Sequence, residues 1–363
     1  MRVLFASTHG AGHFNPLVPF LDACRRNGHE VLVVGPPTLD PVGYPFRVGA
    51  SPPEEILRPL WDGMPRQPPG QTEIVVVGTI FADLNVRAML PALEEAIEEW
   101  QPDLVLREPN EYASAVAAER RGVPHARVAI SLALVEEGAL AIAATSLAEE
   151  HPGVVEAIAA SPYLTCFPES VDRAPFSVRR FRDPAADAPA KPVPDWWPGD
   201  ERPLVYLSFG SVVAAFLWSA AAYRLALDAV AELPVRVLLT GARDLDLGVV
   251  PPNVHVEAWV PQADVLAYAS AVICHGGSGT TLGALAAGLP LVVVPLFADQ
   301  PYNATRIASV GAGVVVSLER IRGGLERVLA DDRYRRTTEA IAAEMRSLPP
   351  TNEFLRASSL DPA

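Results

Sequence analysis

His275-Gly-Gly-Ser-Gly-Thr-Thr-Leu-Gly283, followed by Gly288-Leu-Pro-Leu-Val-Val-Val-Pro-Leu-Phe-Ala-Asp-Gln300, is the stretch whose reading decides the fold. The apolar run Ala271-Val-Ile-Cys274 before it reads as a strand entering a glycine-rich turn, and the residues after it as a helix rich in Ala and Leu. A helix start stripped of bulky side chains presents unpaired N–H groups and the positive end of the helix dipole. That is a seat for phosphate, and His275 at the strand end can add a hydrogen bond or a charge. One strand later, Asp299-Gln300 sets a carboxylate beside an amide, a pair able to bind several hydroxyls of a polyol. A diphosphate seat plus a hydroxyl clamp reads as a nucleotide-sugar site.

Outward from this stretch, short apolar runs alternate with helical patterns along the whole chain. In the second half the strands are expected at 204–209, 235–240, 254–257, 271–275, 291–295 and 313–316, and helices near 219–232, 278–288, 303–309 and 319–330. In the first half, Arg2–Ser7, Glu30–Gly35, Asp103–Arg107 and His125–Ile130 read as strands. Asn15-Pro16 opens a helix that stops at Asn27-Gly28, Asp83–Trp100 and Glu111–Gly122 read as helices, and 36–72 reads as loop. Buried strands alternating with helices mean parallel sheet. The expected fold is therefore α/β, with two Rossmann-like, doubly wound domains facing across a cleft. The Pro-, Ala- and Asp-rich segment 186–202 is read as a linker between domains at 1–185 and 203–345, with 346–363 returning toward the first.

The chain has 363 residues, is half hydrophobic and carries a formal net charge of −14. Nucleic acid and anionic membrane are poor partners for such a surface. It holds no uninterrupted apolar run of the roughly 18 residues that a membrane span needs, and no signal-peptide layout. Cys24, Cys166 and Cys274 are too few and too scattered for a disulfide framework or a zinc site, so a reducing, cytoplasmic setting is expected.

The turn Thr8-His-Gly-Ala-Gly-His13 follows the first strand. It is not a dinucleotide fingerprint: Asn15 stands where the third glycine should be, and the second strand ends at Val34-Gly-Pro36 with no acid for a ribose. No GxxxxGK[ST] phosphate loop occurs either. His13 is either a loop histidine near the helix cap or a base that takes a proton from an acceptor hydroxyl. Glu108 ends a strand on the same sheet edge, where it is either an orienting acid or an ordinary surface charge; Glu111 is close behind or caps the next helix. In the second half Ser208-Phe-Gly-Ser211 is a small-residue turn suited to phosphate, and Trp259-Val-Pro-Gln262 places a Trp either on a base or in the core.

Taken together, Trp259-x-Pro-Gln262, His275-x-Gly-x-Gly-Thr280, Gly288-x-Pro290, Pro295 and Asp299-Gln300 resemble the signature of family 1 glycosyltransferases in order and spacing. Gly12-His-Phe-Asn-Pro16, Arg26-x-Gly-His-Glu-Val31 and Pro102–Pro109 resemble the same enzymes, most of all the actinobacterial antibiotic-tailoring branch. The resemblance covers nearly the whole chain. It implies a GT-B fold, no metal or other cofactor, and inversion at the anomeric carbon. It also implies a nucleotide diphosphate sugar and a small-molecule aglycone as substrates, with a homodimer left open.

Carried over, His13 is the general base and Glu108 stands where the family usually has an orienting Asp. Ser211, Trp259, Val260, Gln262, His275, Gly277, Ser278, Gly279, Thr280, Asp299 and Gln300 form the donor side; Phe14, Asn15 and Glu111 stand on the acceptor side. Gly283 departs from the plant-type signature, which carries a Glu for the ribose diol, and so favours thymidine diphosphate over UDP. The competing expectations are a catalytically silent homologue assisting a partner and, further off, a nucleotide-sugar epimerase.

Overall fold

The computed structural model describes residues 1–63, 71–184, 189–210, 212–216, 218–242 and 245–355. The chain divides into two units. The first comprises Met1–Thr165, Ala174–Phe181 and Pro349–Ala363, and the second Cys166–Arg173 and Arg182–Leu348.

In the first unit, β1 (Arg2–Ala6), β2 (Glu30–Gly35), β3 (Phe46–Val48), β4 (Leu104–Arg107), β5 (His125–Val128), β6 (Tyr163–Thr165) and β7 (Arg179–Arg180) form one parallel sheet. Its order is β3-β2-β1-β4-β5-β6-β7. The central strands are apolar because both faces are covered: Val3, Leu4, Phe5 and Ala6 are all fully buried. Strand β1 pairs with β2 on one side and with β4 on the other, so the order reverses between β1 and β4. In open parallel sheets, ligands bind beyond the strand C-termini at such a reversal.

The second unit repeats the plan with β8 (Leu204–Ser208), β9 (Arg236–Thr240), β10 (Val254–Glu257), β11 (Ala271–Cys274), β12 (Leu291–Val293) and β13 (Gly313–Val315). The order is β10-β9-β8-β11-β12-β13, all parallel, and the reversal lies between β8 and β11.

Several elements differ from the sequence reading. Segment 36–72 is not bare loop, since it contains β3 and the helix Glu54–Gly63. The helix ending at Trp100 starts at Gln71 rather than Asp83, and its Ile74–Asn85 part is a π-helix. The β-branched run Ile74–Val77 argues for strand by local propensity, and a π-turn's i→i+5 bonding does not follow the 3.6-residue pattern. This 30-residue helix includes a window of mean hydropathy 1.5, long and apolar enough to cross a membrane by length and composition alone. Val77, Ile80, Phe81, Met89, Leu93 and Ile97 instead join the first unit's hydrophobic core.

The helix Asp332–Ser347 was hidden by its charge. Only Tyr334, Thr338, Ile341, Ala342 and Met345 are buried, at helical spacing, and Asp331 caps it by accepting from the Arg333 N–H.

The division of the chain also follows specific contacts. Arg306 donates to the carbonyls of Ser170 and Val171, and the Ser170 N–H donates to Glu344, so 166–173 goes with the second unit. The segment read as a linker packs on that unit too: the Lys191 N–H reaches Asp264 at 2.8 Å and the Trp196 indole reaches Glu257 at 3.0 Å. The turn Thr351–Leu355 packs on helix Val18–Arg26 of the first unit, with Phe354 buried.

Candidate active site

At the reversal of the first sheet, the turn after β1 meets the loop after β4. The pairing of Ala6 with Arg107 puts the two strand ends level. His13 sits on the short helix Ala11–Phe14 and Glu108 directly follows β4. His13 Nδ1 lies 3.2 Å from Glu108 Oε1; the carboxylate is fully buried and the imidazole a quarter exposed. Glu108 is well supplied with donors. Oε1 accepts from the Thr8 hydroxyl at 2.8 Å and the Thr8 N–H at 3.2 Å, and Oε2 from the Asn110 N–H at 2.7 Å.

Burial alone would raise the Glu108 carboxyl. The His13 charge and hydrogen bond, with the bonds from Thr8 and Asn110, outweigh it and hold the group below the usual carboxylate range. An ionised Glu108 selects the tautomer in which Nδ1 carries the proton and Nε2 is the basic nitrogen. Phe81 of the π-helix sets its ring against His13 at 5.7 Å in an edge-to-face contact.

The loop holding Glu108 is clamped from below. Arg107 is fully buried, and its Nη1 donates to the carbonyls of Pro109 at 2.9 Å and Glu108 at 3.2 Å. Burial brings this guanidinium down to about 10. Of the other acceptor-side residues, Phe14 turns into the core, Asn15 is exposed, and Glu111 caps the helix Tyr112–Arg121 by accepting from the Ser114 N–H at 2.9 Å.

At the reversal of the second sheet, His275 follows β11 beside Gly210, which follows β8. The imidazole is wedged between glycines. A Cβ on Gly210 would lie 2.8 Å from the ring, and one on Gly277 2.4 Å from Nε2, so a side chain at either position would displace it. Burial pushes His275 down to about 4, against the pull of Asp299 and the Ser208 backbone. Burial thus opposes the charged form of the ring. The helix Ser278–Ala286 starts at Gly277 without a side-chain cap; its first intrahelical bond is Thr281 N–H to Gly277 O. The N–H groups of Ser278, Gly279 and Thr280 therefore have no partner within the helix, and a Cβ on Gly279 would meet only open space.

Asp299 Oδ2 accepts from Asn303 Nδ2 at 2.9 Å and Ser278 Oγ at 3.3 Å. Gln300 is buried, and its carbonyl oxygen accepts the N–H groups of Leu296 and Phe297 at 2.8 and 3.0 Å. Its carbonyl thus holds the loop, and its amide NH₂ is the group it can offer to a hydroxyl.

Trp259 is 74% exposed, which rules out the core alternative. Val260 and Gln262 are half-buried nearby, and a Cβ on Gly283 would meet Leu266 at 3.1 Å and Gln262 Oε1 at 3.2 Å. Gly283 therefore has a packing reason of its own, beside the ribose reading made from the sequence. Ser211 lies outside the described residues. No group of three or more His, Cys, Asp or Glu among the described residues is placed to hold a metal.

Sequence reasoning missed Thr8, Asn110, Phe81 and Asn303. Only Asn303 left a signal, standing one helical turn after Asp299; its Nδ2 also reaches the Gly276 carbonyl at 2.9 Å.

Residues 70–197 match the N-terminal domain, and residues 224–358 the C-terminal domain, of the family described as erythromycin biosynthesis protein CIII-like. The chain is 34% identical to an L-demethylnoviosyl transferase of Streptomyces niveus, over 96% of this chain and 100% of that one. Among solved structures it is similar to the glycosyltransferase SnogD from Streptomyces nogalater, with a TM-score of 0.78, 28% identity and 97% of both chains covered. It is also similar to the glycosyltransferase SsfS6 of a Streptomyces species complexed with thymidine diphosphate, with a TM-score of 0.75, 25% identity, and 97% and 98% covered.

Proposed function

We propose, from the premise that this chain belongs to the erythromycin biosynthesis protein CIII-like family and is an antibiotic-tailoring glycosyltransferase, that it transfers a deoxysugar from a thymidine diphosphate donor to an aglycone hydroxyl with inversion. The observation that carries the reading is the 3.2 Å contact between partly exposed His13 and buried Glu108. A base held in one tautomer by an ionised acid fits the removal of a proton from a nucleophile.

In the reaction, the acceptor oxygen attacks the anomeric carbon as the bond from that carbon to the diphosphate oxygen breaks. The acceptor's proton passes to His13 Nε2, and Glu108 stabilises the imidazolium that forms. One displacement inverts the configuration. Negative charge grows on the departing diphosphate, where the N–H groups at the start of helix Ser278–Ala286 and the His275 ring donate hydrogen bonds. Asp299 and the Gln300 amide meet the sugar hydroxyls, and Trp259 offers its exposed face to the base. With these donors for the leaving group, the reaction needs no metal.

The preference for thymidine diphosphate rests on Gly283, which offers no carboxylate to a ribose 2′-hydroxyl, and is supported by the diphosphate named for SsfS6. The three free cysteines, Cys24, Cys166 and Cys274, suit a reducing, cytoplasmic setting. Incubation with TDP- and UDP-linked sugars and a panel of aglycones, read by mass spectrometry and by NMR of the anomeric proton, tests the reading. It expects a product of inverted configuration from the TDP donor; retention, or no product with any donor, overturns it.

A further inference from the structure

The first unit contains a cavity that the residues discussed so far do not fill. It opens at the C-terminal ends of β1 and β4 and has a volume of about 320 Å³. Its apolar wall includes Leu57 and Trp61 from the helix Glu54–Gly63, Ile80 and Phe81 from the π-helix, Met89 from the same long helix, and Tyr112. Phe81 is common to the cavity wall and to the edge-to-face contact with His13, so one ring links the base to this space. Thr8 and Asn110, which also donate to Glu108, line it too.

We propose that this cavity seats the acceptor and selects a compact aromatic phenol over a macrocyclic lactone. The proposal rests on the glycosyltransferase reading above and narrows its acceptor class. Size is the first argument. Pockets for small ligands run from roughly 300 to 1,000 Å³, so this one stands at the low end and matches one or two fused rings.

The second argument is the wall. Trp61, Phe81 and Tyr112 supply ring surface, which pairs with an aromatic guest through offset or edge contacts. The third is charge. No Arg or Lys is among the described residues lining the cavity, and burial, then His13, keep the lining His9 below the ordinary histidine value and neutral. Of the two lining acids, Glu54 pairs with Arg58, and Glu111 is pushed up by burial. The walls thus suit an uncharged ring system, with the Asn85 and Asn110 amides to orient it. A phenol also fits the base: with an ordinary pKa of about 10, as in tyrosine, it gives up its proton to a neutral imidazole far more readily than an aliphatic alcohol does.

The test uses the full chain without donor. Umbelliferone, a bicyclic phenol, is titrated by its own fluorescence, and erythronolide, a macrocyclic lactone, is added as competitor. Binding of umbelliferone is expected, without displacement by erythronolide. Trp61→Ala and Phe81→Ala should each weaken it about tenfold, the size of one lost aromatic contact. TDP affinity, measured on the same variants, should not change and reports that they fold. No umbelliferone binding, displacement by erythronolide at equal concentration, or unchanged affinity in both variants overturns the proposal. If umbelliferone binds as expected but no nucleotide sugar is ever consumed, the cavity assignment stands and the transferase reading falls.

Discussion

His13 and His275 lie at the reversal of strand order in two sheets of the same plan, on opposite sides of it. Each follows a central strand at the point where the strand order reverses, β1 in one case and β11 in the other. Their surroundings set them apart. His13 is a quarter exposed and rests on a buried carboxylate 3.2 Å away. His275 is wedged between Gly210 and Gly277 and brought down to about 4 by burial. The first arrangement gives an imidazolium a charge partner. The second opposes it by burial. One residue type at the same kind of reversal thus meets two surroundings, which under the proposed function suit a base in one unit and an anion ligand in the other.

The largest effect that can break this contrast is loss of the base. His13→Ala should lower kcat by about 10²-fold or more, the usual contribution of a positioned general base. Next is the diphosphate ligand. His275→Ala should weaken TDP binding about tenfold by calorimetry, as a hydrogen bond to a charged group contributes about 1.5–3 kcal/mol. Gly277→Ala should mimic it by driving the ring from its slot, and an unchanged TDP affinity in both would remove His275 from the site.

Two buried carboxylates sharpen the contrast through pH. Glu108 is held low, so its contribution to stability is present above the ordinary glutamate pKa and fades as pH falls through its folded value. Glu136 goes the opposite way. Burial raises it to about 8 although its Oε1 accepts the N–H groups of Ile130 and Ser131, each at 2.8 Å. Its contribution is full below the ordinary value of 4.5 and is lost as pH rises toward about 8. Glu136→Gln should therefore recover about 1–3 kcal/mol near pH 8 relative to pH 5, seen as a smaller drop in melting temperature between the two. An identical drop in both proteins would show that Glu136 is not the titrating group. The smallest expected effect is none: excess EDTA should leave the rate unchanged, and a loss restored by magnesium or manganese would contradict the account of the leaving group.

Much of this contrast was legible in the chain. Ala271–Cys274 followed by glycines announces a strand running into a helix start, and His13 and Glu108 fall at strand ends whose sheet position follows from alternating strands and helices. What was not legible depends on three-dimensional loop geometry. Glu108 is held low by His13, the Thr8 hydroxyl and the Asn110 backbone N–H together, and no spacing encodes that. His275 is brought down by burial in a slot between two glycines from different strand ends, of which only Gly277 is near in sequence. The π-helix escaped because Ile74–Val77 has strand propensity, and tertiary packing into the core overrides it.

The division of labour is tested most directly by measuring both quantities in both variants: kcat at saturating substrates and TDP affinity by calorimetry, for His13→Ala and for His275→Ala. The account predicts that His13→Ala loses about 10²-fold or more in kcat and keeps its TDP affinity, while His275→Ala loses TDP affinity. A His13→Ala enzyme that keeps near-normal kcat on a hydroxyl acceptor, or that loses TDP affinity as much as His275→Ala does, would contradict it.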